Sequence, residues 1–200
     1  MILQLKHIKY DIISEPLNGE IVCGDQFFIK ENDDYTLLSV IDGLGHGEDA
    51  FFAAKKAMQT LDEHSDKSIG ALITLCNESL LSTRGAAMTV AKIDRTGSLL
   101  YVGVGNVAAV CWARDKNMRL TQQSLMLEGG IVGSRLPPEI QTRKITLTTG
   151  DIIIFATDGI KRQFESEPPT FQTPEKIAKK IFDNYRNKND DGLVLVAQLI

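Results

Sequence analysis

Residues 37–47 read LLSVIDGLGHG. The apolar run from Leu37 to Ile41 stops abruptly at Asp42-Gly43, and Gly43, Gly45 and Gly47 fall within five positions. A short apolar run punctuated by glycine reads as a buried strand leaving its sheet. A carboxylate at the end of such a strand needs compensation, because an unpaired buried charge is very costly. The pattern recurs at residues 152–159, IIIFATDG, which end in Asp158-Gly159. Two buried strands that each deliver an aspartate followed by glycine point to carboxylates meeting around a cation.

Working outward, Cys23-Gly24-Asp25 leads into a short strand, Gln26 to Lys30, and Tyr35 to Ile41 returns after the turn at residues 31–34, forming an antiparallel hairpin. Residues 2–13 alternate in part and predict a half-exposed strand, with residues 14–20 as a loop. After Gly47 the period changes. Ala50, Ala53, Ala54, Ala57, Met58 and Leu61 form the core stripe of a helix, and the alanines imply close packing on a sheet. Ile69, Leu72, Ile73, Cys76 and Leu80 mark a second helix.

From Ala86 the chain turns to β. Residues 88–93, 99–104 and 107–112 are short runs separated by Asp94-Arg95-Thr96-Gly97 and Gly105-Asn106, which predicts a meander. Residues 114–142 predict irregular loop with one or two short strands, and residues 145–147 and 151–157 further strands. A helical turn and a loop are expected over residues 160–172. Thr173-Pro174 then opens a helix, with Thr173 as N-cap, and residues 193–199 form a last strand. Helices segregated from many antiparallel strands indicate an α+β layered fold and not a βαβ array.

The 200 residues suit a single domain spanning residues 1–200. The composition, 43% hydrophobic and 24% charged, is that of an ordinary soluble globular protein. The net charge of -4 and the lack of a basic block argue against nucleic acid as a partner. Cys23, Cys76 and Cys111 are scattered, as reduced thiols of a cytoplasmic protein would be. There is no signal-peptide pattern, and no stretch approaches the ~18 consecutive apolar residues of a membrane span. The expectation is a cytoplasmic monomer without membrane attachment.

Asp25, Asp42, Asp158 and the pair Asp190-Asp191 all adjoin apolar runs, beside or near glycine. Mg²⁺ and Mn²⁺ prefer oxygen ligands, a few carboxylates with several waters. Two such ions roughly 3.5–4 Å apart clamp a phosphate and activate a water. The alternative is that each Asp-Gly is a turn pair. GLGHG is neither GxGxxG nor a P-loop, so a nucleotide-binding reading is weak. His46 reads as an acid, a ligand or a loop residue, and Arg84 as a phosphate fork or a solvated helix end. Asn106, Lys161 and Arg162 carry weaker signals. No HCx₅R pattern marks a cysteine nucleophile.

Together these motifs resemble the type 2C metal-dependent serine/threonine protein phosphatases, in their SpoIIE-like bacterial branch. Gly24-Asp25 resembles the family's first aspartate motif, residues 42–47 (DGLGHG) its DGxGxG motif, Gly150-Asp151 through Asp158-Gly159 its GD…(T/S)DG strand, and Asn189-Asp190-Asp191 its closing DD motif. The segments RGAAMTVAKID (84–94) and VGVGN (102–106) are similar to those of small stressosome feedback phosphatases. The resemblance implies a four-layer αββα sandwich of two antiparallel sheets flanked by helices. It implies a centre of two Mn²⁺ or Mg²⁺ ions, with Asp42 bridging, the Gly43 carbonyl on one ion, Asp158 and Asp190 on the other, and Asp25 acting directly or through water. Asp191 is the lesser ligand of its pair. The implied reaction is hydrolysis of phosphoserine or phosphothreonine on STAS-domain proteins, as negative feedback in stress signalling. A non-catalytic docking module of the same fold is the alternative. Two departures stand out: residues 1–24 lack the arginine with which larger members grip phosphate, and Gly192-Leu193 replaces a hydrophobic-Thr pair after the closing DD.

Overall fold

A computed structural model of the chain describes residues 3–115, 119–169 and 173–200. The first sheet contains β3 (Asp25–Glu31), β4 (Tyr35–Gly43), β5 (Ala86–Asp94), β6 (Ser98–Val104) and β9 (Arg143–Thr146), in the order β3-β4-β5-β6-β9. The second contains β1 (Leu3–Gln4), β2 (Ile8–Glu15), β7 (Ala108–Arg114), β8 (Leu120–Ser124), β10 (Ile152–Ala156) and β11 (Gly192–Leu199), in the order β1-β2-β11-β10-β7-β8. Every pairing within the two sheets is antiparallel. The helices are α1 (Gly47–Glu63), α2 (Ile69–Leu80) and α3 (Pro174–Tyr185).

Side-chain alternation along the strands sorts the apolar residues into three layers. Leu38 and Val40 face Phe155, Leu193 and Leu195 between the sheets. Leu37 and Ile41 point the other way, onto Ala53, Ala57 and Ile73 of α1 and α2. Val110, Ile154 and Val194 meet Ile177 and Phe182 of α3. The layer order is therefore helix–sheet–sheet–helix, the expected αββα sandwich. Strand β4 is covered on both faces, which is why residues 37–41 are apolar on both sides of the strand, with Ser39 the one polar residue. The alanine stripe of α1 lets that helix lie against the sheet: a Cβ added at Gly43 would stand 2.1 Å from the Ala50 carbonyl oxygen.

Three expectations are corrected. Residues 2–13 do not form one strand, because β1 folds back on β2 with Leu3 opposite Tyr10 (residues 1 and 2 lie outside the described residues). Strand β2 also continues into the expected loop, to Glu15, where Gly192 of β11 pairs with it. The largest correction concerns the meander. Gly105-Asn106 closes no hairpin, since β6 pairs with β5 and β9 while β7 pairs with β10 and β8 in the other sheet. Gly105 adopts φ +100 and lies so near Ala87 that a Cβ would stand 2.4 Å from the Ala87 Cβ. That close approach carries the chain across the end of the sandwich and leaves Asn106 there. At α3, Thr173 occupies the N-cap position but its hydroxyl makes no capping bond; Pro174 begins the helix. Residues 116–118 and 170–172, within the expected loops, lie outside the described residues.

Candidate active site

Strand β3 begins and β4 ends at the same edge of the sandwich, so Asp25 stands directly opposite Asp42. The Gly43 N–H donates to the Gly24 carbonyl at 3.2 Å, which makes Gly24 and Gly43 a hydrogen-bonded pair. Asp25 and Asp42 are then the adjacent non-hydrogen-bonded pair, the kind whose Cα atoms lie about 4.5 Å apart with side chains on one face. Alternation puts both on the face of Phe27 and Val40, the gap between the sheets. Like charges so placed repel.

The second sheet supplies the other carboxylates from the loops after β10 and before β11. Asn106 on the crossing segment donates its side-chain amide to Asp158 Oδ2 at 2.6 Å. Thr157 donates its hydroxyl to Asp25 Oδ2 at 2.6 Å and accepts the Leu193 N–H at 2.9 Å, tying the two sheets together under the site. Thr157→Val keeps the shape but leaves the Leu193 N–H and an Asp25 oxygen without their partner. The expected cost is about 1–3 kcal/mol, read from denaturant midpoints at unchanged m-value.

Asp190 and Asp191 separate in role. Asp191 is 2% exposed, and its oxygens accept the Leu17 N–H at 2.7 Å and the Gly24 N–H at 2.9 Å. It anchors the connection between β2 and β3. Asp190 is half-buried and accepts the Asp191 N–H at 2.9 Å on Oδ1. Asp42, Asp158 and Asp190 line one open cleft of about 280 Å³ together with Leu44, Gly45, His46, Asn106 and Asn189, and Asp25 is buried at its base beside Asp42. His46 is turned to Glu20, with Nδ1 2.8 Å from Oε1. Arg84 pairs with Asp49 at 2.6 Å and lies over Gly45, and Arg162 reaches the Asn106 carbonyl at 3.5 Å. A larger cavity of about 610 Å³ opens at the other end of β10. Its Asp151 carboxylate is occupied by Thr148, so chemistry and not size marks the site.

The electrostatics of the cluster are set by burial and by the mutual repulsion of its carboxylates. Burial, followed by the charges of Asp25, Asp158, Asp190 and Asp191, pushes the Asp42 carboxyl up to about 9. Burial pushes Asp25 up to about 7 against the opposing Thr157 hydrogen bond, with Asp191, Asp158 and Asp190 adding to the rise. Asp158 is raised by burial and by Asp190, and lowered by the Asn106 amide. Among the described residues none of Asp25, Asp42, Asp158 and Asp190 has an ion-pair partner. Nor do three His, Cys, Asp or Glu side chains, among the described residues, close into a cage around one point. An oxygen-only donor set, spread along a wet cleft, suits hard divalent ions that keep several waters and take one or two carboxylates each. The residues present therefore fit Mg²⁺ or Mn²⁺.

The family model for Stage II sporulation protein E (SpoIIE) matches residues 32–199. The chain belongs to the SpoIIE family. Over 196 residues it is 25% identical to phosphoserine phosphatase RsbX of Bacillus subtilis (strain 168), covering 97% of this chain and 96% of RsbX. The fold superimposes on the crystal structure of RsbX in complex with magnesium with a TM-score of 0.87, at 23% identity, over 100% of this chain and 99% of that one. It superimposes with a TM-score of 0.86, at 26% identity, over 96% and 99% of the two chains, on a structure solved in work on the bacterial stressosome as a modular system. The PP2C phosphatase domain of SpoIIE from Bacillus subtilis, with a fragment of its regulatory domain, matches at a TM-score of 0.76 and 18% identity, over 96% of this chain and 63% of that one.

Within this SpoIIE-family site, the glycine after each aspartate acts differently from the sharp turn that residue pattern suggests. Gly43 and Gly159 avoid positive φ; at both the constraint is close approach. A Cβ at Gly159 would stand 1.7 Å from the Asp191 carbonyl oxygen. In sequence Thr157 is only the Thr of the (T/S)DG motif, with no role attached, and Asn106 carries a weak signal. The available signals were the Thr before Asp158-Gly159 and the Gly-Asn step after β6.

Proposed function

We propose that this SpoIIE-family enzyme is a metal-dependent phosphatase whose Asp25, Asp42, Asp158 and Asp190 side chains and Gly43 carbonyl hold two Mg²⁺ or Mn²⁺ ions, and that its substrates are phosphorylated STAS-domain proteins. Its class is that of its family, protein serine/threonine phosphatase. The observation that carries the metal reading is the Asp25–Asp42 pair: two carboxylates in direct register, neither of them paired with a cationic side chain among the described residues.

Bound divalent ions would supply a water of lowered pKa and positive charge for the phosphoryl oxygens. The chain's own residues do the rest. Thr157 and Asn106 orient Asp25 and Asp158 through single short hydrogen bonds. Burial and mutual repulsion favour the protonated form of Asp25 and Asp42, and bound divalent cations would favour the carboxylates instead. Arg84 and Arg162 border the cleft and offer forked donors to an incoming phosphate, the task that no arginine in residues 1–24 can perform. The open cleft suits a phosphoserine presented on a protein surface. The substrate class is supported by the likeness to RsbX, a phosphoserine phosphatase, and to a structure from work on the stressosome. No helix among the described residues is long and apolar enough to cross a membrane; we place the enzyme in the cytoplasm as a monomeric single domain acting in negative feedback.

The test is hydrolysis of p-nitrophenyl phosphate with Mn²⁺ or Mg²⁺, before and after chelation. Activity lost to EDTA and restored by added metal is the expected result. Hydrolysis indifferent to the chelator would remove the metal reading.

A further inference from the structure

Arg186, at the C-cap of α3, has a guanidinium surrounded by main-chain carbonyls. Nη1 donates to Gly159 at 3.3 Å, to Asp191 at 3.3 Å and to Asn187. Nη2 donates to Glu15 at 3.3 Å, Pro16 at 3.4 Å and Asp190 at 2.5 Å. The group lies 5.6 Å from the Phe182 ring centroid, and among the described residues it forms no ion pair. Three separate stretches therefore converge on one planar fork: the end of β2, the residue after Asp158, and the loop carrying Asp190. The backbone reinforces the junction, since Asn187 N–H donates to Gly159 at 2.8 Å and Lys161 N–H to Tyr185 at 2.9 Å.

The same geometry accounts for Gly192. A Cβ there would stand 2.7 Å from Nη1, 2.8 Å from Cζ and 2.9 Å from Nε of Arg186. The guanidinium occupies the space of the side chain that a hydrophobic residue would bring to that position, so Arg186 and Gly192 form a reciprocal pair.

We infer that Arg186 is a positioning residue for the metal site, setting the spacing of Asp158 and Asp190 through the carbonyls of Gly159, Asp190 and Asp191. It touches no reacting atom. The inference rests on the metal reading above and adds to it a residue remote from the cleft in role and chemistry. Lysine cannot substitute fully, because an ammonium on a flexible stem cannot bridge several carbonyls in one plane.

The experiment is calorimetric titration of the purified full chain with Mn²⁺ alone, on proteins shown to be folded by circular dichroism and cooperative melting. Arg186→Ala is expected to bind Mn²⁺ on the order of 10- to 100-fold more weakly than wild type, the range for groups that orient metal ligands. Arg186→Lys should recover part of the loss. If Arg186→Ala does not fold, the lysine variant decides, with several-fold weaker binding expected. Gly192→Ala, which displaces the guanidinium, should weaken Mn²⁺ binding in wild type and add little in the Arg186→Ala background, since the two changes share one contact. Folded Arg186→Ala or Arg186→Lys with wild-type affinity would overturn the inference. A wild-type chain that binds no Mn²⁺ would overturn the metal reading beneath it, and this inference with it.

Discussion

Asp42→Asn is expected to abolish phosphatase activity, a loss of about 4 kcal/mol of transition-state stabilisation or ~10³-fold, and also to raise the melting temperature of the metal-free protein. The two effects share one cause. In the absence of metal, Asp42 faces Asp25 across a non-hydrogen-bonded pair, with Asp158, Asp190 and Asp191 adding charge of the same sign. A neutral amide of the same shape removes that repulsion. Relief of about 1 kcal/mol corresponds to a rise of roughly 2–4 °C for a domain of this size. The same amide cannot supply the charge that holds a divalent cation, so Mn²⁺ should no longer raise the melting temperature of the variant. Steady-state hydrolysis and scanning calorimetry with and without Mn²⁺ separate the outcomes. Near-wild-type turnover would remove Asp42 from the site. A lower metal-free melting temperature would show that its carboxylate is a structural asset in place of a liability.

The second large effect is on pH dependence. Unfolded aspartates titrate near 3.9, whereas the folded chain holds Asp25 up to about 7 and Asp42 up to about 9. Between those limits the folded state keeps protons that the unfolded chain has released. The stabilising contribution is fully present below the unfolded value and is lost as pH rises through the folded ones. Metal-free stability should therefore fall by on the order of 1–2 kcal/mol per pH unit between about pH 6 and pH 8.5, most steeply at the lower end. Saturating Mn²⁺ should flatten the slope, because the ligands are then deprotonated throughout, and its binding near pH 7 should release protons. Asp42→Asn should also flatten it. Denaturant unfolding at a series of pH values in chelator, repeated with metal, reads all three. Metal-free stability that rises over that window would contradict the electrostatic account.

Much of the fold was legible because its central elements are covered on both faces. Residues 37–41 and 152–156 read as apolar runs since a helix layer lies on one side and the opposing sheet on the other. The alanine stripe of α1 announced a close approach that Gly43 and Ala50 realise. The two-sheet division at Gly105-Asn106 was not legible, because a glycine-asparagine step looks the same whether it closes a hairpin or crosses between sheets. What decides it is Ala87, 18 residues upstream, against which Gly105 must fit.

At the site, the aspartates stood out by position, each beside the end of an apolar run. Their partners did not. Thr157 meets Asp25 across 132 positions, Asn106 meets Asp158 across 52, and Asp191 meets Gly24 across 167. Local periodicity carries no trace of such pairings. The division of labour between Asp190 and Asp191 likewise rests on which one finds the Leu17 and Gly24 N–H groups, a matter of tertiary placement alone. Arg186 was invisible for a related reason: its acceptors are carbonyls, which every residue carries.

The central claim is that these carboxylates hold metal to remove phosphate from a protein. Its most direct test is phosphate release from a serine-phosphorylated STAS-domain protein of the same organism, followed with Mn²⁺ and then with excess chelator. The account predicts release that stops on chelation and resumes when Mn²⁺ is restored. Release that continues unchanged in chelator, or no release while the phosphoprotein and Mn²⁺ are both present, would contradict it.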